Sequence, residues 1–323
     1  MSLKSIYIQN FRGISGGIDL PIRPITIFIG ANSSGKSTII HSLATLSQTV
    51  KLPNDSRPLI LDDELGSVHL GRFIEVIHSK SYKDCISLGL HLDQIQVPIR
   101  KKDKYEFETF EVGVRLHYKS TTTTQKVYVE AAEYSIGQER FEIKRKQGGI
   151  KETIPQYEVK KENHSDVAIA GMKKGFLLEE SDFYQNIEQY ESWMPILMVQ
   201  RAIYQQLERT YYLGPFRQPP LRQYPTRGAS PIEVGPQGEA TATMLANEVM
   251  RSRSRTHIVE ISNWLNMLGI GKNLNVSRIA ASDMFDLDVT LPDDQPFALA
   301  DLGYGLSQAL PVLAQCSFAA EKS

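Results

Sequence analysis

The stretch "PITIFIGANSSGKSTIIHSL", residues 24 to 43, constrains the fold more than any other part of the chain. Ile25, Ile27, Phe28 and Ile29 have the composition of a buried strand. Gly30-Ala31-Asn32-Ser33-Ser34-Gly35-Lys36-Ser37 then fits G-x-x-x-x-G-K-[ST] without a gap. Beyond it Ile39, Ile40, Leu43 and Leu46 recur at helical spacing. A strand that feeds a helix through such a loop is an anion cradle. Small residues let the backbone curl so that its N–H groups converge on phosphate oxygens, and the helix adds the positive end of its dipole. Lys36 is expected to reach the β- and γ-phosphates as the catalytic cation. Ser37 is expected to give its hydroxyl to Mg²⁺, and Thr38 to give its hydroxyl to the α-phosphate.

Charge narrows the partners. Lys and Arg number 36 against 37 Asp and Glu, a net charge of −1, so nucleic-acid contact would rest on a local patch and not on the whole surface. The two cysteines, Cys85 and Cys316, suggest neither a disulfide frame nor a zinc site. With no apolar run near eighteen residues and no signal peptide, a soluble cytoplasmic protein is expected. No sustained heptads mark a long coiled coil.

Four segments are expected along the chain. Residues 1–80 form an N-terminal lobe with the phosphate loop, ending in a connecting segment with a short helix near Phe73 to His78. From 81 to 164 the apolar period becomes two, as in Ile86, Leu88, Leu90, Leu92 and in Val112, Val114, Leu116, Tyr118; these predict an inserted antiparallel meander. Its turns are "STTTTQ" and Gly148-Gly149, the latter between strands near Ile143 and Ile154. Residues 165–209 are expected to be helical. Residues 210–323 form a second lobe: a buried strand in "TYYLGPFRQPP", helices over 239–268, and a hairpin turning at Pro292-Asp293-Asp294. Two basic clusters leave nucleic-acid contact open. Lys144, Arg145, Lys146 and Lys151 gather at the Gly-Gly turn, which also suits a solvated tip. Arg251, Arg253 and Arg255 alternate, and residues two apart do not share a helix face.

The opening "LKSIYIQNFRGI" is a strand that turns out through Asn10-Phe11-Arg12-Gly13. It resembles the RecF, SMC and OLD-type branch of the ABC ATPases, in which an N-F-[RK] motif precedes the phosphate loop by about twenty residues. The resemblance implies an α/β, ABC-type P-loop head with a mixed sheet, binding ATP and Mg. It makes Arg12 a phosphate or ribose contact and sets Asn32 near the γ-phosphate; Ser33 stands where a Gly is common. "LADLGYGLSQALPVLAQ", 299 to 315, resembles that group's signature segment, and the layout "YLGPFR…VGPQGE…DLGYGLSQALPVL" matches OLD-like ATPases of bacterial defence. In such enzymes this glycine-started helix meets the γ-phosphate on a partner subunit, so a homodimer or larger homo-oligomer is implied. Gly305 and Ser307 are the candidate contacts. The register is open: either Ser307-Gln308 aligns with the Ser and Gln of L-S-G-G-Q, or Gly303 to Gly305 does and Ser307 lies inside the helix.

An ABC head also needs a Walker B strand with Asp and Glu, followed by a D-loop and a switch histidine. None is visible before Ser323, so the head is expected to be incomplete at its C-terminus. Truncation, completion by a second chain, and binding without hydrolysis are all compatible with that. The expectation for residues 1–323 alone is weak Mg-ATP binding with negligible turnover, and an unpaired apolar sheet edge. "PLILDDE" offers Asp62 and Asp63 as a decoy Walker B, with a surface turn as the plainer reading. His69 and His78 lie where a Mg-contacting Gln often sits, without a motif. Three functions follow. The first is an ATPase subunit whose ATP-driven head dimerisation controls a nuclease or toxin effector in a DNA-related or antiphage system. The second is a non-hydrolysing ATP-binding scaffold that holds an effector inactive. The third is a kinase or GTPase of another P-loop class, using Asp62 or Asp63.

Overall fold

In the computed structural model the described residues are 2–52, 57–101, 104–145, 157–161, 167–169, 172–173, 177–178, 187–226, 231–252, 254–280 and 282–320. The chain divides into two compact units, Met1–Thr210 and Tyr211–Ser323.

The first unit is built on one sheet. Its strands are β1 (Leu3–Gln9), β2 (Ile18–Pro21), β3 (Ile86–Lys101), β4 (Lys104–Ser120), β5 (Val127–Ile136), β6 (Glu139–Arg145), β7 (Tyr157–Lys161) and β8 (Val167–Ile169), in the order β2-β1-β3-β4-β5-β6-β7-β8. A two-stranded ribbon, β9 (Met172–Lys173) and β10 (Leu177–Leu178), lies outside it. The expected period-two runs register face to face, with Leu88 opposite Leu116, Leu90 opposite Val114, and Leu116 opposite Ala132. Those residues are buried on one face together with Ile6, Ile8, Tyr134 and Phe141. Helix α1 (Lys36–Lys51), the short α2 (Phe73–Val76) and α3 (Ile187–Glu208) complete the unit. α3 packs on β3 and on α1, and contributes Ile196, Val199, Ile203 and Leu207 to the same core.

Polar groups fix α1 as firmly as apolar ones. The buried Ser47 hydroxyl lies 2.9 Å from the carbonyls of Leu207 and Thr210, so it closes the C-terminal end of α3. The buried Gln48 amide donates to the Ile60 carbonyl at 2.7 Å and accepts from the Val68 N–H at 2.9 Å. Segment 60–68 is thereby held at the far end of α1.

Several expectations are corrected here. Ile25, Ile27, Phe28 and Ile29 form no strand, and Ile25, Ile27 and Ile29 are 82%, 75% and 91% exposed. No neighbouring strand meets them among the described residues, and a strand's backbone stays unpaired without one. The sheet is not mixed: every strand pairing among the described residues is antiparallel. The meander is not a separate insertion either. β3 pairs directly with β1, from Leu3 opposite Leu92 to Gln9 opposite Ser87, which makes it one sheet with the N-terminus. Among the described residues of the helix expected over 165–209, Ile187–Glu208 is helical, while Val167–Ile169, Met172–Lys173 and Leu177–Leu178 are short strands. The Gly148-Gly149 turn, Ile154, Lys146, Lys151 and Arg253 lie outside the described residues.

The second unit has a four-stranded antiparallel sheet of β11 (Gln223–Pro225), β12 (Asn273–Arg278), β13 (Met284–Thr290) and β14 (Pro296–Ala298), with β13 pairing all three others. The hairpin turns where expected, with Asp294 at φ 64 and the Leu291 N–H donating to the Gln295 carbonyl. Helices α4 (Thr241–Asn247), α5 (Thr256–Met267) and α6 (Tyr304–Ala320) cover a core of Leu245, Ile261, Leu265, Phe285, Leu287 and Leu310. A π-helical turn, Glu248–Ser252, separates α4 from α5. The Glu248 carboxylate then accepts from the N–H groups of His257 and Ile258 at 2.8 and 3.2 Å, capping α5. The strand expected in 210–220 is absent; that segment pairs with no strand among the described residues.

Candidate functional site

The site is assembled around the start of α1. Gly35 sits at the N-cap with φ 95, and Ser33 has φ 61; both are left-handed conformations that tighten the loop. No side chain caps this helix and no acidic residue stands in its first turn. The first-turn N–H groups are therefore left for an outside anion, and no carboxylate within that turn repels one. At Gly30 a Cβ would fall 2.9 Å from the Ser34 hydroxyl, so glycine keeps the loop mouth narrow. The Lys36 ammonium folds back over the loop and donates to the carbonyls of Gly30 and Ala31 at 2.7 and 2.6 Å. Ala31, Asn32, Ser33, Ser34 and Ser37 are exposed around it. These residues fit a polyphosphate: bare amides and a lysine at the cradle, and the Ser37 hydroxyl open for Mg²⁺ beside it. Thr38 differs from its neighbours in being buried, against the turn that contains Gly13.

That turn is the N-F-R-G motif, and the fold brings it to α1. Phe11 is fully buried and its backbone bridges to Ile14 and Ile77. The Asn10 side chain accepts from the Ser79 N–H at 2.9 Å and donates to the Cys85 carbonyl at 3.0 Å. Arg12, at φ 50, donates its N–H to the Val76 carbonyl. His78 Nδ1–H donates to the Arg12 carbonyl at 2.8 Å. The Arg12 guanidinium then lies 2.6 Å from His41 Nδ1. His41 is four residues past Ser37, roughly 6 Å along the helix. Burial and then the Arg12 charge hold the His41 pKa below its ordinary value, which keeps Nδ1 free to accept from Arg12. The turn that carries Arg12 is thus held against the first turns of α1. The histidines could not be placed from sequence, because nothing local in the chain specifies which turn they fasten.

Asp62 and Asp63 stand elsewhere. They lie on the segment that Gln48 holds, and Gln48 is roughly 16 Å along α1 from Ser37. Asp62 pairs with His69 at 3.0 Å, and Asp63 pairs with Arg57 and caps the Leu65 N–H. Both are surface-turn residues, and His69 is remote from the loop with them.

In the second unit Gly303 and Gly305 are exposed at the start of α6, while Ser307 is 6% exposed within its first turns. Ser307 faces a cavity of about 90 Å³ that it shares with Gln218, Glu239, Leu310 and Pro311. The glycines, and not the serine, form the surface of the segment. Asp301, just before the glycines, receives both terminal nitrogens of Arg222 at 2.9 and 2.5 Å. That clamp joins residues 79 apart and left no signal in the sequence.

A protein-family model described as an AAA ATPase domain matches residues 1–208. No curated protein matches the chain.

Proposed function

The chain belongs to the AAA ATPase domain family, and on that footing we propose that it is an ATP-binding, Mg-dependent ATPase subunit of ABC type, working by ATP-driven pairing of two copies. The observation that carries the proposal is the uncapped, acid-free start of α1 with Lys36 folded across it. Arg12, placed one helical turn from Ser37 by His41, is the second cation for the nucleotide. Gly303 and Gly305, exposed at the start of α6, are the surface a partner's γ-phosphate would meet. Pairing and release would be coupled to a separate nuclease or toxin effector; the support for that, and for a role in defence, is the resemblance of the N-F-R motif and the glycine-rich segment to OLD-like ATPases.

Lys36→Ala tests the cradle. We expect it to weaken binding of a fluorescent ATP analogue by about a hundredfold or more, equivalent to roughly 3 kcal/mol for a lost charge-assisted contact, with the urea midpoint unchanged. Equal affinity in the two proteins would place the nucleotide elsewhere. Hydrolysis and mere holding are separated by phosphate release: ATP-stabilised pairs with no phosphate released would favour a scaffold over an ATPase.

A further inference from the structure

The open face of the first unit's sheet carries a cavity of about 730 Å³, inside the range of roughly 300–1,000 Å³ that small-molecule sites occupy. Leu90, Leu116 and Ala132 turn into the core that α3 covers, and the residues that alternate with them turn out to this face. The cavity shares no residue with the phosphate loop or the Arg12 turn. Strand register sets its walls in two rows. In the first, His91 faces Gly113, Gly113 faces Ser135, and Ser135 faces Arg140. Two residues along the strands, roughly 7 Å away, Arg115 faces Glu133 and Glu133 faces Glu142.

The first row is a set of donors. A Cβ on Gly113 would fall 2.8 Å from the His91 ring and 2.9 Å from the Ser135 hydroxyl, so imidazole and hydroxyl converge over bare backbone. Burial first, and then the Arg115, Arg140 and Lys4 charges, hold the His91 pKa below its ordinary value against the opposing Asp19 carboxylate. The neutral ring offers one N–H. Ser135 is 7% exposed, and its hydroxyl opens on the cavity with no hydrogen-bond partner among the described residues. Arg140 is exposed on β6 and pairs with no carboxylate among the described residues. The second row is a set of acceptors. Arg115 is engaged within the protein, 3.7 Å above the Tyr7 ring and 3.6 Å from Glu133. Glu133 also meets His117 at 3.2 Å, and Glu142 meets Lys144 at 2.7 Å through one oxygen. Two carboxylates directly opposite one another repel, and a cation set between them relieves the repulsion.

We propose that this cavity binds a free α-amino acid, its carboxylate held by Ser135, Arg140 and His91 and its ammonium by Glu133 and Glu142. In an α-amino acid the two charges are one carbon apart. With a hydrogen bond of about 2.8 Å at each end, the head group spans rows roughly 7 Å apart. The space toward Asp19 is left for the side chain. A peptide terminus brings only one of the two charges. A phosphate or a nucleic acid meets the carboxylate row with the wrong sign.

The test adds each common L-amino acid in turn to the full chain and reads the melting temperature. We expect at least one to raise it by about 2 °C or more at saturation. The amide and the N-acetyl form of that amino acid each lack one charge. By calorimetry both should bind at least about tenfold more weakly. Arg140→Met and Glu142→Gln should each weaken binding of the parent amino acid by about tenfold or more, and Arg140→Lys should recover part of the first loss. Unchanged binding of a fluorescent ATP analogue checks that each variant is folded, and keeps this result separate from the nucleotide site. No shift with any amino acid, equal binding of the two capped forms, or wild-type affinity in both variants overturns the proposal.

Discussion

β1 and the approach to the phosphate loop are written in nearly the same residues and end up in opposite environments. Ile6 and Ile8 are 3% and 0% exposed, whereas Ile25, Ile27 and Ile29 are 75% to 91% exposed. Both runs space their isoleucines by two. The difference lies in the neighbours. Ile8 sits opposite Ile18 of β2 on one side and Leu88 of β3 on the other, and residues 26–30 pair with no strand among the described residues. Alternation therefore encodes which face of a strand is apolar, and says nothing about whether a partner reaches it. A hairpin neighbour arrives through a short turn, as β2 does for β1. A parallel neighbour arrives only through a crossover of a dozen or more residues. Each isoleucine left in water forgoes roughly 2–3 kcal/mol of burial, so the approach segment leaves most of its apolar surface unsatisfied.

The largest expected effect comes from making the same change in both places. Ile8→Ala opens a cavity in a packed sheet and should cost about 2–5 kcal/mol. Ile27→Ala removes exposed surface and should stay within about 0.5 kcal/mol, while reducing light scattering at high protein concentration, because it shrinks an exposed apolar patch. Urea unfolding of the two variants measures this directly. A cost above about 1 kcal/mol at Ile27 would mean that the segment is covered in solution, and the contrast with β1 would vanish.

Gln48 probes an intermediate effect, where a polar group does the work that apolar packing does in β1. Gln48→Leu conserves most of the volume but leaves the Ile60 carbonyl and the Val68 N–H buried without partners. We expect a loss of about 1–3 kcal/mol and faster hydrogen exchange at Val68. Unchanged exchange there would show that segment 60–68 is held by its apolar residues alone.

How far the sequence could be read follows the same division. The phosphate loop, the period-two strands of β3 to β5, the Pro292-Asp293-Asp294 turn and α6 were legible because each is specified by a few consecutive residues. The continuity of the meander with β1 was not, since pairing Leu3 with Leu92 leaves no local mark. The 165–209 segment was misread as helical throughout because its apolar residues are dense enough to match either period. At the site, Lys36 and Ser37 were evident from the motif. The agents that bring Arg12 beside them (Asn10, His78 and His41) act across 29 to 75 residues of chain, and the register of Ser307 stayed open because nothing local in the glycine-rich segment says that α6 buries it.

The smallest effect, and the one closest to the nucleotide, is titration of His41. Its folded-state pKa lies below the ordinary value of 6.5, first from burial and then from the Arg12 charge. The unfolded chain thus takes up this proton before the folded one does. Stability rises with pH across the window below 6.5 and is lost on acidification through it. Protonation also turns Nδ1 from acceptor to donor, so the Arg12 contact at 2.6 Å must open as His41 charges. Arg12→Met removes the second cause and leaves the first. We expect its His41 ring resonance to titrate at a higher pH than in the wild type, still below the value of a free histidine, with a shallower loss of stability in acid. An NMR titration of both proteins decides the matter: a His41 midpoint unmoved by the substitution would separate the guanidinium from the ring, and Arg12 would lose its hold beside the phosphate loop.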